Sequence, residues 1–201
     1  MPARVMVISE GPGYREDQKG QPFIGMSGQL LTKPMNPGRG EHGLLAVAGI
    51  NPREVHYANR TMCMPPGDRD PTLEELSNCE PWLVEHVRLV NPKLVILMGT
   101  FAVEWRFGPG TVGKHQGLMY RQECDGCGEL STEHLDRYAT KGKWTNALLG
   151  RCQNNKLVKL RLYAATYNPA AAMRDPIKQL DIVRTMTAAK DVLSANTLLA
   201  S

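Results

Sequence analysis

The sequence lacks any apolar run that approaches the roughly 18 residues needed to span a membrane. Its first residues also lack the apolar h-region and the cleavage site of a secretory signal peptide. Neither sign of charge is in large excess, because the formal net charge is only +4. That charge permits contact with a polyanion but does not identify one. We therefore expect a soluble cytoplasmic protein with no membrane partner.

Cysteine is also scarce, with five residues at Cys63, Cys79, Cys124, Cys127 and Cys152. Cytosolic thiols seldom form structural disulfides. Only Cys124 and Cys127 form a C-x-x-C pair. An odd count with one such pair favours four metal ligands and one bystander over a disulfide framework.

The length of 201 residues and the apolar fraction of 42% indicate one domain spanning residues 1–201. Helical segments separate four short apolar runs that predict buried β-strands, and these runs are Arg4–Ser9, Val55–Arg60, Lys93–Met98 and Lys159–Thr166. This alternation predicts an α/β fold, a three-layer α/β/α sandwich around a central, mostly parallel four-stranded sheet.

The clearest predicted helix is Pro71–Val90, for which Asp70 is the expected N-cap and Pro71 the first helical residue. A C-terminal amphipathic helix is predicted over Ile177–Leu193. Residues at about 122–155 interrupt the alternation, because they are polar, lack clear periodicity and contain the C-x-x-C pair. We interpret them as an insertion that a metal could order.

Polar residues follow three of the predicted strands, at the edge where open α/β sheets bind their ligands. Glu10 to Gly13 follow the first strand, Asn59 ends the second, and Thr166 to Arg174 ("TYNPAAAMR") end and follow the fourth. With Phe23 as a lid, these segments would converge on one crevice. Each also has an ordinary explanation when taken alone. Glu10 to Gly13 could be a generic turn and Phe23 a core residue, while Asn59 could form a turn and Asn168 could be the N-cap of the next helix.

Together, their order and spacing resemble the family 4 uracil-DNA glycosylases, the iron–sulfur branch of the uracil-DNA glycosylase superfamily. Four blocks carry the resemblance in the family's order, and they are "SEGPGYREDQKGQPFIGMSGQLL" (Ser9–Leu31), "NRTMCMPPGDRDPTLEELSNCEPWL" (Asn59–Leu83), "NPKLVILMGTFAVEWRFG" (Asn91–Gly108) and "TYNPAAAMRDP" (Thr166–Pro176).

The resemblance implies a monofunctional DNA glycosylase. Such an enzyme flips out uracil, or a related modified or deaminated base, and hydrolyses its N-glycosidic bond to leave an abasic site. Its partner would be single- or double-stranded DNA. We expect a monomer, in the cytoplasm of a bacterium or archaeon or encoded by a phage.

The resemblance assigns base binding to four residues. Phe23 resembles the family's aromatic platform, which stacks on the flipped base. Asn59 resembles the discriminating residue, whose amide offers an acceptor for uracil N3–H and a donor for O4, while cytosine presents the reverse pattern. Gly13 belongs to the turn that receives the base. Glu16 matches a family glutamate near the C5 edge of the base, where it would help to exclude the methyl group of thymine.

Catalysis in such an enzyme is mainly electrostatic. Backbone N–H groups of the turn from Gly11 to Gly13 would stabilise the departing uracil anion. Glu10 would orient water and balance the positive charge that develops on the sugar.

One residue departs from the family's pattern. The second motif of the family begins His-Pro, and this sequence has Asn168-Pro169. Asparagine can donate a hydrogen bond to uracil O2 but cannot carry positive charge. We therefore expect weaker anion stabilisation or adaptation to another base. Arg174, which closes the motif, would contact the DNA backbone; a solvated helix residue is the alternative.

The cysteines also fit the family in part. Cys63 and Cys79 stand where the family places its second pair of cluster ligands. The family's first pair precedes the first strand, whereas this sequence has a C-x-x-C in its insertion. We therefore expect a [4Fe–4S] cluster held by Cys63, Cys79, Cys124 and Cys127. The alternatives are zinc in the same four-thiolate site, or zinc held by Cys124, Cys127, Cys152 and His134.

Two other functions stay open. A non-catalytic or weakly catalytic binder of uracil-containing or modified DNA would keep the same pocket, and Asn168 is the residue that favours it. A nucleotide-processing or metal-storage protein would share only the α/β architecture. Covalent trapping of the product, which another branch of the superfamily performs with a histidine, is disfavoured because the corresponding loop "MCMPPGDRDP" has none.

Overall fold

The computed structural model describes residues 4–33, 42–121 and 161–199. The predicted insertion at about 122–155 lies outside these residues and stays a prediction. None of the described helices is long and apolar enough to cross a membrane.

A five-stranded sheet forms the centre of the fold. Its strands are β1 (Val5–Ser9), β2 (Val55–Asn59), β3 (Leu94–Met98), β4 (Met119–Arg121) and β5 (Leu162–Thr166), in the order β2-β1-β3-β5-β4. The first, second, third and fifth strands pair in parallel. The predicted four-stranded parallel sheet is therefore confirmed. Strand β4 adds a short antiparallel edge that the sequence analysis missed.

Eight α-helices surround the sheet in the part of the chain that the structure describes. They are α1 (Tyr14–Lys19), α2 (Met26–Thr32), α3 (Leu44–Val47), α4 (Leu73–Val90), α5 (Thr100–Phe107), α6 (Val112–His115), α7 (Pro169–Ala172) and α8 (Pro176–Leu199).

Helices cover both faces of the sheet and bury β3 and β5 completely. Residues of α2, α3 and α8, such as Leu31, Leu45 and Ile182, pack on one face. Residues of α4 and α5, such as Leu83 and Val103, pack on the other. Strands buried on both faces need continuous apolar sequence, which explains why "LVILM" is the composition of β3.

The start of α4 corrects one expectation. The N-cap is Thr72 and not Asp70, because the Thr72 hydroxyl accepts the Glu75 N–H at 3.2 Å and the Glu75 carboxylate accepts the Thr72 N–H at 2.8 Å. This capping box satisfies two free N–H groups at once. Pro71 consequently lies just outside the helix.

A hydrogen-bonded network fixes the end of β2 against two helices. Arg60, which is only 6% exposed, donates to the Leu76 carbonyl at 2.9 Å and to Glu80 Oε2 at 3.0 Å. The other Glu80 oxygen accepts the Trp105 Nε1–H at 3.0 Å. Arg60 directly follows Asn59, so this network holds the carboxyl end of β2 in place.

We predict that Glu80→Ala lowers the free energy of unfolding by about 1–3 kcal/mol, because a buried guanidinium loses its anionic partner. Glu85→Ala is the matched control on the same helix, since it breaks only the exposed pair with Arg88. Denaturant unfolding of both variants measures the difference. Equal effects of the two substitutions would contradict the structural role of Glu80.

Candidate functional site

A cleft of about 230 Å³ opens at the carboxyl ends of β1, β2 and β5. The parallel register aligns Ser9 with Asn59 and Met98 with Thr166, so these strand ends lie side by side. The structure brings most of the predicted site residues into this one cleft, namely Glu10, Gly11, Gly13, Glu16, Phe23, Asn59 and Asn168. Of the predicted site residues within the described ranges, Arg174, Cys63 and Cys79 are not part of its lining.

The turn after β1 lies close against the turn after β2. The Arg60 and Thr61 N–H groups donate to the carbonyls of Ser9 and Glu10 at 2.8 and 3.0 Å. A Cβ on Gly11 would lie 2.6 Å from Thr61 Oγ1, so a larger residue would displace the Thr61 hydroxyl. Thr61 is a site residue that the sequence analysis missed, and its only signal is its place two residues after Asn59.

Glu10 reaches across the end of β3. Its Oε2 accepts a hydrogen bond from Asn168 Nδ2 at 2.8 Å, and its Oε1 accepts the Phe101 N–H at 3.4 Å. A Cβ on Gly99 would lie 2.4 Å from the carboxyl carbon of Glu10. Gly99 has a φ of 90°, which also favours glycine. The carboxylate is therefore held by residues that follow two other strands, β3 and β5.

Glu16 is a buried carboxylate that joins two segments of the cleft wall. It is 8% exposed, and its Oε1 accepts the Gly25 N–H at 2.8 Å. A Cβ on Gly13 would lie 3.0 Å from its other oxygen. Glu16 thus ties α1 to the loop that carries Phe23. Its expected role at the C5 edge of a base stays a prediction.

Phe23 lies in the cleft wall in an unusual backbone conformation. Its φ is 58°, a region that costs a non-glycine residue on the order of 1–3 kcal/mol. The ring packs on Tyr57 with centroids 5.1 Å apart. A Cβ on Gly28 would lie 2.3 Å from the Phe23 carbonyl carbon, so this conformation requires glycine at residue 28. The sequence analysis missed Gly28.

Asn59 ends β2 and faces two neighbouring clefts. It lines the first cleft and also a second of about 210 Å³, which shares Pro12, Glu16 and Thr61 with the first. The Asn59 side-chain amide makes no hydrogen bond within the part of the chain that the structure describes. Its donor and its acceptor are accordingly open to a ligand.

Three charged residues that the sequence analysis did not assign to the site also line the cleft, namely Asp68, Arg69 and Asp70. Arg69 makes two hydrogen bonds of 2.8 Å to the Glu75 carboxylate. The bond from Arg69 lowers the pKa of Glu75 to about 2. The guanidinium of Arg69 is therefore already engaged by an anion.

Asn168 forms the N-cap of α7, as the ordinary explanation of this residue predicted. Its Oδ1 accepts the Ala170 N–H at 2.9 Å. Its Nδ2 donates to Glu10 and to Ser9 Oγ, the latter at 3.2 Å. The expected donation from Asn168 to a base stays a prediction.

Gln116 holds the segment that precedes Asn168. This buried side chain accepts the Tyr167 N–H at 3.0 Å and donates to Thr185 Oγ1 at 2.9 Å on α8. The position of Asn168 is thus set by the core. Arg174, in contrast, is exposed in the turn between α7 and α8, outside the cleft.

Two of the predicted metal ligands lie close together. Cys63 is exposed, Cys79 is half-buried on α4, and the Cys79 sulfur accepts the N–H of Met62 at 3.5 Å. Hydrogen bonds to sulfur are a feature of cysteine-held metal sites, but this contact by itself does not establish one. The described residues contain no group of three or more side chains placed to bind a metal. Cys124, Cys127, Cys152 and His134 lie outside them, so the ligand set stays a prediction.

Comparisons with known proteins point to one superfamily. The profile of the uracil DNA glycosylase superfamily matches residues 2–191. The chain is 32% identical over 126 residues to the type-4 uracil-DNA glycosylase of Archaeoglobus fulgidus, an alignment that covers 60% of this chain and 58% of the relative. It is 28% identical over 173 residues to that of Pyrobaculum aerophilum, covering 86% and 69%. A third relative, from Thermotoga maritima, is 34% identical over 102 residues, covering 51% and 48%. The chain therefore spans little more than half the length of the first of these relatives.

We predict that Gly28→Ala lowers the free energy of unfolding by about 1–3 kcal/mol, because the new methyl group would overlap the backbone of Phe23. Gly113→Ala is the control, since its Cβ would lie 3.5 Å from the Tyr167 hydroxyl, an ordinary contact. Thermal or denaturant unfolding compares the two. If Gly28→Ala were as stable as the control, Phe23 would not need the conformation seen here.

Proposed function

Because the chain belongs to the uracil-DNA glycosylase superfamily, we propose that it is a DNA glycosylase acting on uracil or a related modified or deaminated base. The flipped base would enter the cleft at the strand ends, and hydrolysis of its N-glycosidic bond would leave an abasic site. The observation that carries this proposal is that one cleft brings three groups together. They are the aromatic ring of Phe23, the open amide of Asn59 and the hydrogen-bonded carboxylate of Glu10.

Recognition in this proposal depends on a stacking surface and one amide. Flipping a nucleotide costs a few kcal/mol, roughly, and stacking on Phe23 recovers part of that cost. Asn59 then accepts a hydrogen bond from N3–H and donates one to O4. Cytosine offers no N3–H and places a donor where O4 would be, so it leaves both partners unsatisfied.

The chemical step proceeds by charge separation. The C1′–N1 bond breaks, and its electron pair leaves with the base. A water oxygen bonds to C1′, and one proton of that water passes to Glu10 and from there to the departing base anion. Glu10 also offsets the positive charge of the sugar while the bond breaks. The enzyme forms no covalent intermediate in this scheme, so it is monofunctional.

The departing anion needs donors at O2, and the turn after β1 supplies them. Pro12 has no N–H, so the donors are the backbone N–H groups of Gly11 and Gly13. Donors that are already oriented stabilise charge where it develops. Arg174 would contact a phosphate from its exposed turn and help to fix the register of the DNA.

A weakly catalytic or non-catalytic DNA binder is the second candidate. The observation that favours it is the engagement of Asn168 by Glu10 and Ser9, because a donor already in use stabilises a leaving group less well. An incision assay separates the candidates. A uracil-containing oligonucleotide is incubated with the protein and then treated with alkali, which cleaves the strand only at abasic sites.

We predict that the native chain excises uracil and that Asn59→Asp slows excision by about ten- to a hundredfold, since the donor to O4 becomes an anionic acceptor. Asn51→Asp, on the exposed segment before β2, is the control. Single-turnover excision across a panel of bases measures both. If Asn59→Asp excised uracil as fast as the native chain, Asn59 would have no role in base recognition. If the native chain excised no base, the DNA-binding candidate would replace the glycosylase.

We also propose a structural [4Fe–4S] cluster held by Cys63, Cys79, Cys124 and Cys127. The N–H bond to the Cys79 sulfur supports the first pair as metal ligands. Zinc in the same site, and zinc held by Cys124, Cys127, Cys152 and His134, are the alternatives. When bound, the metal would join the loop after β2 to α4 and would take no part in bond cleavage.

We predict that the anaerobically purified protein is brown and contains iron and sulfide in equal amounts. Cys63→Ser, Cys79→Ser, Cys124→Ser and Cys127→Ser should each remove the colour, whereas Cys152→Ser should retain it. Absorbance and metal analysis of the five variants decide the ligand set. The protein could instead be colourless and bind one zinc that is lost only on substitution of Cys124, Cys127 or Cys152. That result would overturn the proposed [4Fe–4S] cluster.

A further inference from the structure

We propose that Asn168 is a positioning residue, which Ser9 helps to orient, which clamps the Glu10 carboxylate, and which does not contact the departing base. The clamp itself rests on the hydrogen bonds of the structure. Its consequence for catalysis rests on the function proposed above.

Both donor hydrogens of the Asn168 amide are already in use. One hydrogen of Nδ2 is directed to Glu10 Oε2 at 2.8 Å and the other to Ser9 Oγ at 3.2 Å. Oδ1 accepts the Ala170 N–H at 2.9 Å. An amide nitrogen carries only two hydrogens. Donation to the O2 of a base would therefore require Asn168 to release Glu10 or Ser9.

The position of Glu10 shows what the clamp does. Glu10 follows β1, whereas Asn168 follows β5, and β3 lies between these strands. The Glu10 side chain crosses that gap over Gly99, where the missing Cβ makes room for it. Within the described ranges of the chain, the other hydrogen bond to this carboxylate is the weak 3.4 Å contact from the Phe101 N–H. Asn168 is thus the principal restraint on where the carboxylate points.

Four other charged residues line the same cleft as Glu10, namely Glu16, Asp68, Arg69 and Asp70. The segment from β3 to α5 presents backbone atoms of Gly99 and Phe101. On the side of β5, the neighbour is the neutral amide of Asn168. The clamp therefore restrains Glu10 by hydrogen bonding without placing a titrating group beside it.

Asn168→Asp tests the clamp without removing the helix cap. Aspartate keeps an oxygen for the Ala170 N–H and is an equally good N-cap. It replaces the donor to Glu10 with a second carboxylate, and two such carboxylates share one proton. Asn51→Asp is the matched control, because Asn51 also caps a helix and donates to a carboxylate, Glu54 Oε1, at 2.8 Å, but at an exposed place.

The first readout does not depend on excision. In protein labelled with ¹³C at the glutamate carboxyl carbons, the signal of Glu10 is followed as a function of pH, after assignment with Glu10→Gln. We expect its titration in Asn168→Asp to move to higher pH, and in Asn51→Asp to stay as in the native chain. An unchanged Glu10 titration in Asn168→Asp would overturn the clamp, even if the native chain excised nothing.

The second readout separates a role at Glu10 from a role at the base. We expect Asn168→Asp to slow excision about ten- to a hundredfold at neutral pH, with the acid limb of its pH–rate profile moved to higher pH. The loss should be equal for uracil and for 5-fluorouracil, which departs more readily as an anion. A clearly smaller loss for 5-fluorouracil would place Asn168 at the departing base and overturn the proposal.

Discussion

The hydrogen bonding between β1 and β2 continues past the ends of both strands, and the rest of the site depends on that continuation. The Arg60 and Thr61 N–H groups bond to Ser9 and Glu10. This pairing places Asn59 beside the residues that follow β1, so the proposed recognition residue and the proposed catalytic residues share one edge of the sheet. It also favours a glycine at residue 11, because a Cβ there would overlap the Thr61 hydroxyl. The buried Arg60 network then fixes this edge against α4 and α5.

The strands and the convergence of the site were predictable because they depend on local composition. A strand buried on both faces has to be apolar throughout, and parallel strands bring their carboxyl ends to one edge. Glu10, Asn59 and Asn168 could be placed together on that argument. The N-cap of α4 was predicted wrongly. Asp70 and Pro71 are good signals, but the reciprocal bonds of Thr72 and Glu75 satisfy more of the helix.

What the sequence did not reveal are contacts between distant residues. Gly99 is needed because the Glu10 side chain occupies the space of its missing Cβ. The partners of Asn168 lie 158 and 159 residues away along the chain. No local pattern encodes such pairs. Strand β4 was missed for a different reason, since its three residues are too few to show a period.

The double use of Asn168 bears on how this position can change during evolution. A replacement has to accept the Ala170 N–H and, at the same time, donate to Glu10 and Ser9. Among the residues favoured at an N-cap, aspartate has no donor, and serine and threonine have one hydroxyl hydrogen each. Only asparagine offers one acceptor and two donors in a single rigid group. Divergence at residue 168 therefore requires compensating changes in the turn after β1, so these two segments are expected to evolve as a pair.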